Sequence, residues 1–314
     1  MLGLTLIFGG FKIAFKKTIR IASFSALDSL NVSIDISGLK DKESQEKVKT
    51  RTRKNTSKLN QYLFDKSILE ASTGSDLVFW SEGSGVILKE DAAKFYKKAS
   101  EIASQYEFYL GVAIAVINPS NIKYLENKFV LFDKNGNMVI DYWKGIFVPD
   151  VEAPISKNKK TGMQKTETEY GTIAGTICFD TDFPTYIKQT KGADILLSSS
   201  RDWKEIDPIH TDMTRFRVLE QAFNFTRQTS NGLSITTDYK GNVVSEMNHF
   251  TSNHGVMISQ LPTKGIITIY TIIGDSFVLI CGLLLISTII ILKRIKRTIT
   301  KILEKEQARI ESYV

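Results

Sequence analysis

The sequence predicts an α/β (α+β) fold, a mixed sheet with helices packed on it, followed by a single membrane helix. Three observations carry that expectation. Short apolar or alternating runs recur through residues 16–264 with helix-patterned stretches between them, and two junctions hold Asn135-Gly136 and Lys240-Gly241, dipeptides typical of tight hairpins. Residues 276–292 (SFVLICGLLLISTIIIL) then form a 17-residue run without a charge. With 314 residues, 42% hydrophobic and 24% charged, the chain can bury a sizeable core, which excludes a disordered protein or a disulfide-stapled miniature fold.

In chain order, strands are expected at 18–24 (TIRIASF), 76–80 (DLVFW), 108–116 (FYLGVAIAV), 128–133 (KFVLFD) and 138–143 (MVIDYW). Further strands are expected at 172–179 (TIAGTICF), 195–199 (ILLSS), 233–238 (LSITTD) and 255–260 (GVMISQ). Helices are expected at 54–71, 90–105, 183–191 and 209–227. Residues 37–57 are polar and lysine-rich, as in a solvated loop or helix start. There is no internal repeat, no phosphate-binding or dinucleotide glycine pattern and no G-x-S-x-G elbow.

The apolar run lengthens backwards through 266–274, interrupted by Asp275, so residues 266–292 are assigned as a transmembrane helix with Asp275 near the headgroups. No face of the run is polar, which disfavours a buried core helix, and KRIKR follows at once. The net charge of +7 would first suggest nucleic acid, but residues 293–314 alone carry seven Lys/Arg against three Glu. That cluster reads as a topology signal: C-terminus cytoplasmic, preceding domain extracytoplasmic, basic tail 293–314 along anionic lipid, no nucleic-acid partner. The 11 apolar residues MLGLTLIFGGF at the start are too short to span, and residues 1–15 are expected to be a short anchor or the remnant of a membrane helix. Of the two cysteines, Cys281 lies within the membrane run and Cys178 in the body, so no disulfide joins them and no metal-ligand spacing exists. Neither metal nor cofactor is expected.

Three segments share one property: a strongly apolar strand ends in a reactive side chain. DLVFW-Ser81 leads to Glu82, MVIDYW to Lys144 and TIAGTI to Cys178. Each alone has a bland reading, since a Glu or Lys after a strand is usually solvated and a lone Cys is usually filler. Together they make chemical sense. A thiol attacks only as thiolate, so Cys178 needs a base or a cation beside it. Glu82 is the candidate base, and Lys144 would favour the thiolate and then stabilise an oxyanion. Glu152 would pair with Lys144, or hold Glu82 through water.

In this order and at these spacings the residues resemble the Glu-Lys-Cys triad of the nitrilase (carbon-nitrogen hydrolase) superfamily. Flanking residues narrow the resemblance to the apolipoprotein N-acyltransferase branch: DLVFWSEGS, YWKGIFVPDVEAP with Glu152 eight residues after Lys144, TICFDTDFP, then Trp203, His210, residues 213–220 (MTRFRVLE) and TSNG at 229–232. It covers residues 17–297. Several positions depart from the family pattern: Ser81 replaces Pro, Asp180 stands where Glu is typical and is taken as a supporting residue, Phe179 replaces Tyr, and SSSRDWKEI carries Arg201 and Asp202 in place of the Ser-Asn-Asp-Ala-Trp order. His210, Arg217 and Glu220 are expected to order a helix and not to do chemistry. The family also has several N-terminal transmembrane helices, of which this chain is expected to hold at most a remnant.

The resemblance implies an α-β-β-α sandwich as catalytic domain over residues 16–264. It further implies a membrane-anchored N-acyltransferase in the cell membrane that moves an acyl chain from a phospholipid donor, through a Cys178 thioester, to the N-terminal amine of a diacylated lipoprotein. Two alternatives stand beside it: a membrane-tethered amidase using the same triad with water as second nucleophile, and a non-catalytic lipid- or protein-binding descendant. An intact set of three costly polar groups at strand ends argues against the last. The oligomeric state carries no sequence signal.

Overall fold

In the computed structural model, residues 17–26, 42–159, 162–252 and 255–312 are described, and they divide into two units, one ending at Ile267 and one beginning at Thr268. The expected short anchor at 1–15 lies outside the described residues, as do positions 37–41 of the lysine-rich stretch.

The first unit contains two sheets. Strands β1 (Thr18–Phe24), β2 (Leu77–Trp80), β3 (Gly85–Leu88), β4 (Tyr109–Ile117), β5 (Leu125–Phe132), β6 (Met138–Trp143) and β13 (Met257–Pro262) form one, in the order β13-β1-β2-β4-β5-β6 with β3 also on β4. The second, in the order β12-β11-β10-β9-β8-β7, comprises β7 (Lys165–Thr168), β8 (Gly171–Ile177), β9 (Ile195–Arg201), β10 (Asn224–Ser230), β11 (Leu233–Thr237) and β12 (Val243–Asn248). The helices are α1 (Lys42–Ser72), α2 (Ala92–Gln105), the short α3 (Pro184–Ile187) and α4 (Ile209–Gln221).

The layering follows from the period of two along a strand. In β1 and β2, Ile19, Ile21, Leu77 and Phe79 join Ile173, Ile177, Ile195 and Leu197 in a core between the sheets. Their neighbours Ala22, Phe24, Val78 and Trp80 pack with Leu59, Leu63 and Phe64 of α1 and Phe95 of α2. On the far side, Ala174 and Leu196 meet Val218 of α4, Phe223 and Phe225. Both faces of each sheet are covered, which is why these strands read as continuous apolar runs. This is the α-β-β-α sandwich.

Register places the reactive ends. β1, β2 and β4 run parallel, and two antiparallel steps from β4 through β5 return β6 to the same direction. The carboxyl ends of β2 and β6 therefore share one edge of the sheet.

Several elements differ from the sequence-based expectation. The helix expected over 209–227 ends at Gln221, where Ala222 turns left-handed at φ +52°, and residues 224–230 are instead β10, a strand between β9 and β11. NFTRQTS is almost wholly polar, so it carries no apolar alternation, yet residues 224–229 are buried, with Arg227 donating to Asp202 and Gln228 accepting from Ser23. The sequence does not predict β3, β7 and β12: β3 has only four residues, β7 is a polar edge strand and β12 is an edge strand with no buried residue. Lys240-Gly241 turns β11 into β12, with Gly241 at φ +80°.

In the second unit, α5 (Ile269–Ile273) is followed by a break at Gly274 and Asp275, and α6 runs unbroken from Ser276 to Glu311. The helix expected over 266–292 therefore starts at Ser276. The helix continues past Lys293 into the basic tail as far as Glu311, 36 residues or about 54 Å in all. α6 is long and apolar enough to cross a membrane.

Candidate active site

Glu82 follows β2 by two residues, its N–H donating to the carbonyl of Ser200 in the other sheet at 3.2 Å. Lys144 directly follows β6, and its N–H donates to the Asn127 carbonyl at 2.9 Å, extending the β5–β6 ladder by one step. Cys178 directly follows β8, in a left-handed conformation (φ +45°) that opens a turn over Cys178–Asp182. A non-glycine residue in that region is strained, and here the strain lifts the side chain off the strand's alternation.

The structure brings all three into one cavity of about 550 Å³. Lys144 Nζ lies 2.8 Å from Glu82 Oε1 and 2.6 Å from Glu152 Oε2, so the ammonium bridges two carboxylates. Only 1% of its side chain is exposed. Burial opposes the charge, but Glu82, Cys178 and Glu152 outweigh it and hold the ammonium above its ordinary range. The expected pairing of Glu152 with Lys144 is present, and Glu152 is fixed by the Val148 N–H at 3.0 Å.

Cys178 has its thiol directed at the Arg201 carbonyl, Sγ to O 3.6 Å. Burial pushes the thiol well above its usual range, Glu82 adds to that, and Lys144 pulls the other way. A thiol held above its usual range needs a base to ionise it.

Asp180 does not line the cavity. It sits behind it, accepting from Tyr142 Oη at 2.7 Å, Ile146 N–H at 2.7 Å, Gly145 N–H at 3.1 Å and Ile177 N–H at 3.2 Å. One carboxylate therefore ties the backbone after Lys144 to the backbone before Cys178. Burial pushes it up to about 7 against these donors. Gly145 is required here, because a Cβ would fall 1.7 Å from the Tyr186 hydroxyl.

One residue and one network of contacts escaped the sequence reading. Asn127 of β5 donates from Nδ2 to Glu82 Oε1 at 2.6 Å and to Glu152 Oε1 at 3.3 Å, joining the two carboxylates. Its sequence signal is the polar run Glu126-Asn127-Lys128 that leads into the apolar FVLF of β5. The second is a buried network beside Cys178. Arg227 donates to both oxygens of Asp202, at 2.9 and 2.8 Å, and His210 Nδ1 lies 2.7 Å from Asp202 Oδ1. Atoms of Cys178, Asp202 and His210 lie within 4.8 Å of one another, a grouping of metal-ligating types among the described residues. The guanidinium on both Asp202 oxygens already neutralises that carboxylate and would repel a metal cation, so the residues do not fit a metal centre. Arg217 and Glu220 form an ion pair on α4 at 3.1 Å.

The remaining wall of the cavity is largely apolar, with Val86, Ile117, Leu125, Val148, Ile155 and Trp203 among its residues. Such a chamber can hold an aliphatic group against a thiol that has a carboxylate and an ammonium in the same cavity.

Comparison with known proteins agrees with this geometry. Residues 50–269 match the family model described as carbon-nitrogen hydrolase. Among curated proteins, the chain is similar to an apolipoprotein N-acyltransferase of Borreliella burgdorferi, 26% identical over 68% of this chain and 46% of that one. It is also similar to apolipoprotein N-acyltransferase 2 of Treponema denticola, 24% identical over 77% of this chain and 52% of that one. The chain thus spans about half the length of these relatives. Among solved structures, an amidase from Nesterenkonia sp. superposes with a TM-score of 0.60 at 13% identity, covering 78% of this chain and 91% of that one. A variant of that amidase, at TM-score 0.61, 15% identity and coverage of 78% and 90%, carries a covalently added acetamide moiety at its active-site cysteine. That likeness is one of fold. With its family model covering most of the first unit, the chain belongs to the carbon-nitrogen hydrolase family.

Proposed function

We propose that the protein is a membrane-anchored acyltransferase in which Cys178 is the nucleophile, Glu82 the general base and acid, and Lys144 the cation that stabilises first the thiolate and then the oxyanion. The observation that carries this is the shared cavity: a buried thiol, carboxylate and ammonium open onto a chiefly apolar wall.

In the first half-reaction Glu82 takes the thiol proton, and the sulfur attacks the ester carbonyl carbon of a phospholipid acyl chain. Charge gathers on the carbonyl oxygen. Two contacts of Lys144 go to Glu82 and Glu152, which leaves a third ammonium proton for that oxygen. The carbon–oxygen bond breaks, Glu82 returns its proton to the departing lysophospholipid oxygen, and a thioester remains on Cys178. In the second half the N-terminal amine of a diacylated lipoprotein attacks the thioester. Glu82 removes the amine proton, the carbon–sulfur bond breaks, and the thiolate recovers the proton as the amide forms. Glu152 and Asn127 hold Glu82 and Lys144 in register, and Asp180 holds the two strand ends.

Residues 16–264 form the catalytic domain in this reading. The span from Ser276 anchors it in the cell membrane, with the cytoplasmic side marked by the basic residues after Leu292. An anchor suits the chemistry, because lifting a lipid into water costs about 0.8 kcal/mol per CH₂.

A second reading, a tethered amidase, shares the first half-reaction with an amide as acyl donor and uses water in the second. It is favoured by the likeness of fold to the amidase. Incubating the full chain in liposomes with alkyne-tagged phospholipid and a diacylated peptide separates the readings. Tag appearing as peptide amide supports acyl transfer, tag released only as free fatty acid supports hydrolysis, and no transient label on the protein contradicts both.

A further inference from the structure

Among the buried titratable groups that this chemistry does not use is His210, the second residue of α4. Its Nδ1 lies 2.7 Å from Asp202 Oδ1, and its Nε2 lies 3.0 Å from Asp182 Oδ1, an ion-pair contact off the hydrogen-bond line. Asp182 comes from the turn that begins at Cys178, Asp202 from the end of β9 and Arg227 from β10. From its own helix, Thr214 Oγ1 donates to the His210 carbonyl at 2.9 Å, and Thr211 Oγ1 accepts from Arg227 at 2.7 Å. Cys178 Sγ is within 4.8 Å of the ligating atoms of Asp202 and His210, and Glu82, Lys144 and Asp202 line its cavity.

The charges in this network decide what His210 can do. Asp182, Asp202 and Arg227 sum to −1 beside a thiol that must itself become an anion. Asp202 pushes the thiol up and Arg227 pulls it down. A proton on His210 brings the sum to zero. Both ring nitrogens face carboxylate oxygens, the arrangement that suits an imidazolium with two N–H donors. Burial opposes that charge, as does Arg227 at 3.1 Å from Nδ1, but Asp182 and Asp202 outweigh them and hold the imidazole above its ordinary range.

We propose that His210, kept as an imidazolium between Asp182 and Asp202, is a positioning residue that cancels the second carboxylate beside Cys178 and so keeps the thiolate within reach of the reaction. It acts through the charge felt at Cys178 and not by touching substrate. The inference rests on Cys178 being the nucleophile, and a measurement on the thiol itself separates the two.

The full chain carrying Cys281→Ser, in liposomes, is alkylated with iodoacetamide from about pH 5 to about pH 10, and the rate at Cys178 is read by mass spectrometry. His210→Gln is expected to move the rate profile to higher pH by about one unit, a loss of about tenfold in rate near neutrality. Combining His210→Gln with Asp182→Asn removes a carboxylate together with the imidazolium and returns the sum to zero, so the double variant is expected to move back towards the parent's profile. A His210→Gln profile that superimposes on the parent's overturns the inference while leaving the nucleophile reading intact. If His210→Gln does not fold, ring-nitrogen NMR of the parent labelled with 15N-histidine decides: imidazolium shifts for His210 at about pH 7 support the inference, and neutral-imidazole shifts overturn it. A parent thiol that stays inert when folded but reacts when unfolded overturns both.

Discussion

Lys144 holds its place through two carboxylates, and that makes the centre of the site fragile in a specific way. Removing one partner from a buried ion pair leaves uncompensated charge and typically costs about 3–5 kcal/mol. Lys144→Met is therefore expected to abolish turnover and to lower the melting temperature sharply. Adding Glu152→Gln to it should recover part of the stability, read by thermal denaturation, without restoring activity. At this scale much was legible in the sequence. Glu82, Lys144 and Cys178 each terminate an apolar run, and the eight-residue offset pointed to Glu152. Asn127 was missed because it falls just before the strand expected at 128–133, and only the longer strand of the folded sheet carries it onto Glu82. His210 and Asp202 stood in plain view, but nothing in their spacing showed that β10 would bring Arg227 against them.

Elements are held to one another by buried polar contacts, and these leave a pH signature. Burial would raise the Asp202 carboxyl, yet Arg227 and His210 hold it at about 2, below its ordinary value of 3.8. A carboxyl depressed in the fold contributes stability that is present above about pH 4 and lost as pH falls towards 2, here on the order of 2 kcal/mol. His210 is shifted the other way, so its contribution is complete below about pH 6.5 and is lost as pH rises through its folded value. Chemical denaturation across pH is expected to show Asp202→Asn flattening the acid limb and His210→Gln flattening the alkaline one. A second prediction concerns the turn after β6. Gly145→Ala must push Tyr186 aside, disturbing its 3.2 Å contact with Tyr142 and the Asp180 tie, so acyl-adduct formation should fall at least tenfold with the fold retained by circular dichroism. Strand legibility followed burial on both faces. β1, β2, β4 and β9 read clearly as apolar runs, whereas β10 buries Thr, Gln and Arg and was read as the continuation of α4.

For the molecule as a whole, the densest part of the +7 charge lies directly after an apolar segment. The sequence marked the span but not its limits, because Gly274 at φ 54° breaks the apolar stretch that hydropathy alone joins together, and no proline or glycine interrupts the helix after Leu292. A charge at the centre of a span costs about 3 kcal/mol. Leu284→Arg is thus expected to shift a substantial share of the protein from the carbonate-resistant membrane fraction into the extract. Acylation of Cys178 by phospholipid can be read by intact-mass analysis of the full chain in liposomes. An added mass equal to one acyl chain, mapped to Cys178, removed by hydroxylamine and missing from Cys178→Ala, is the predicted result. Wild-type protein that gains no acyl mass while folded in phospholipid membranes would contradict it.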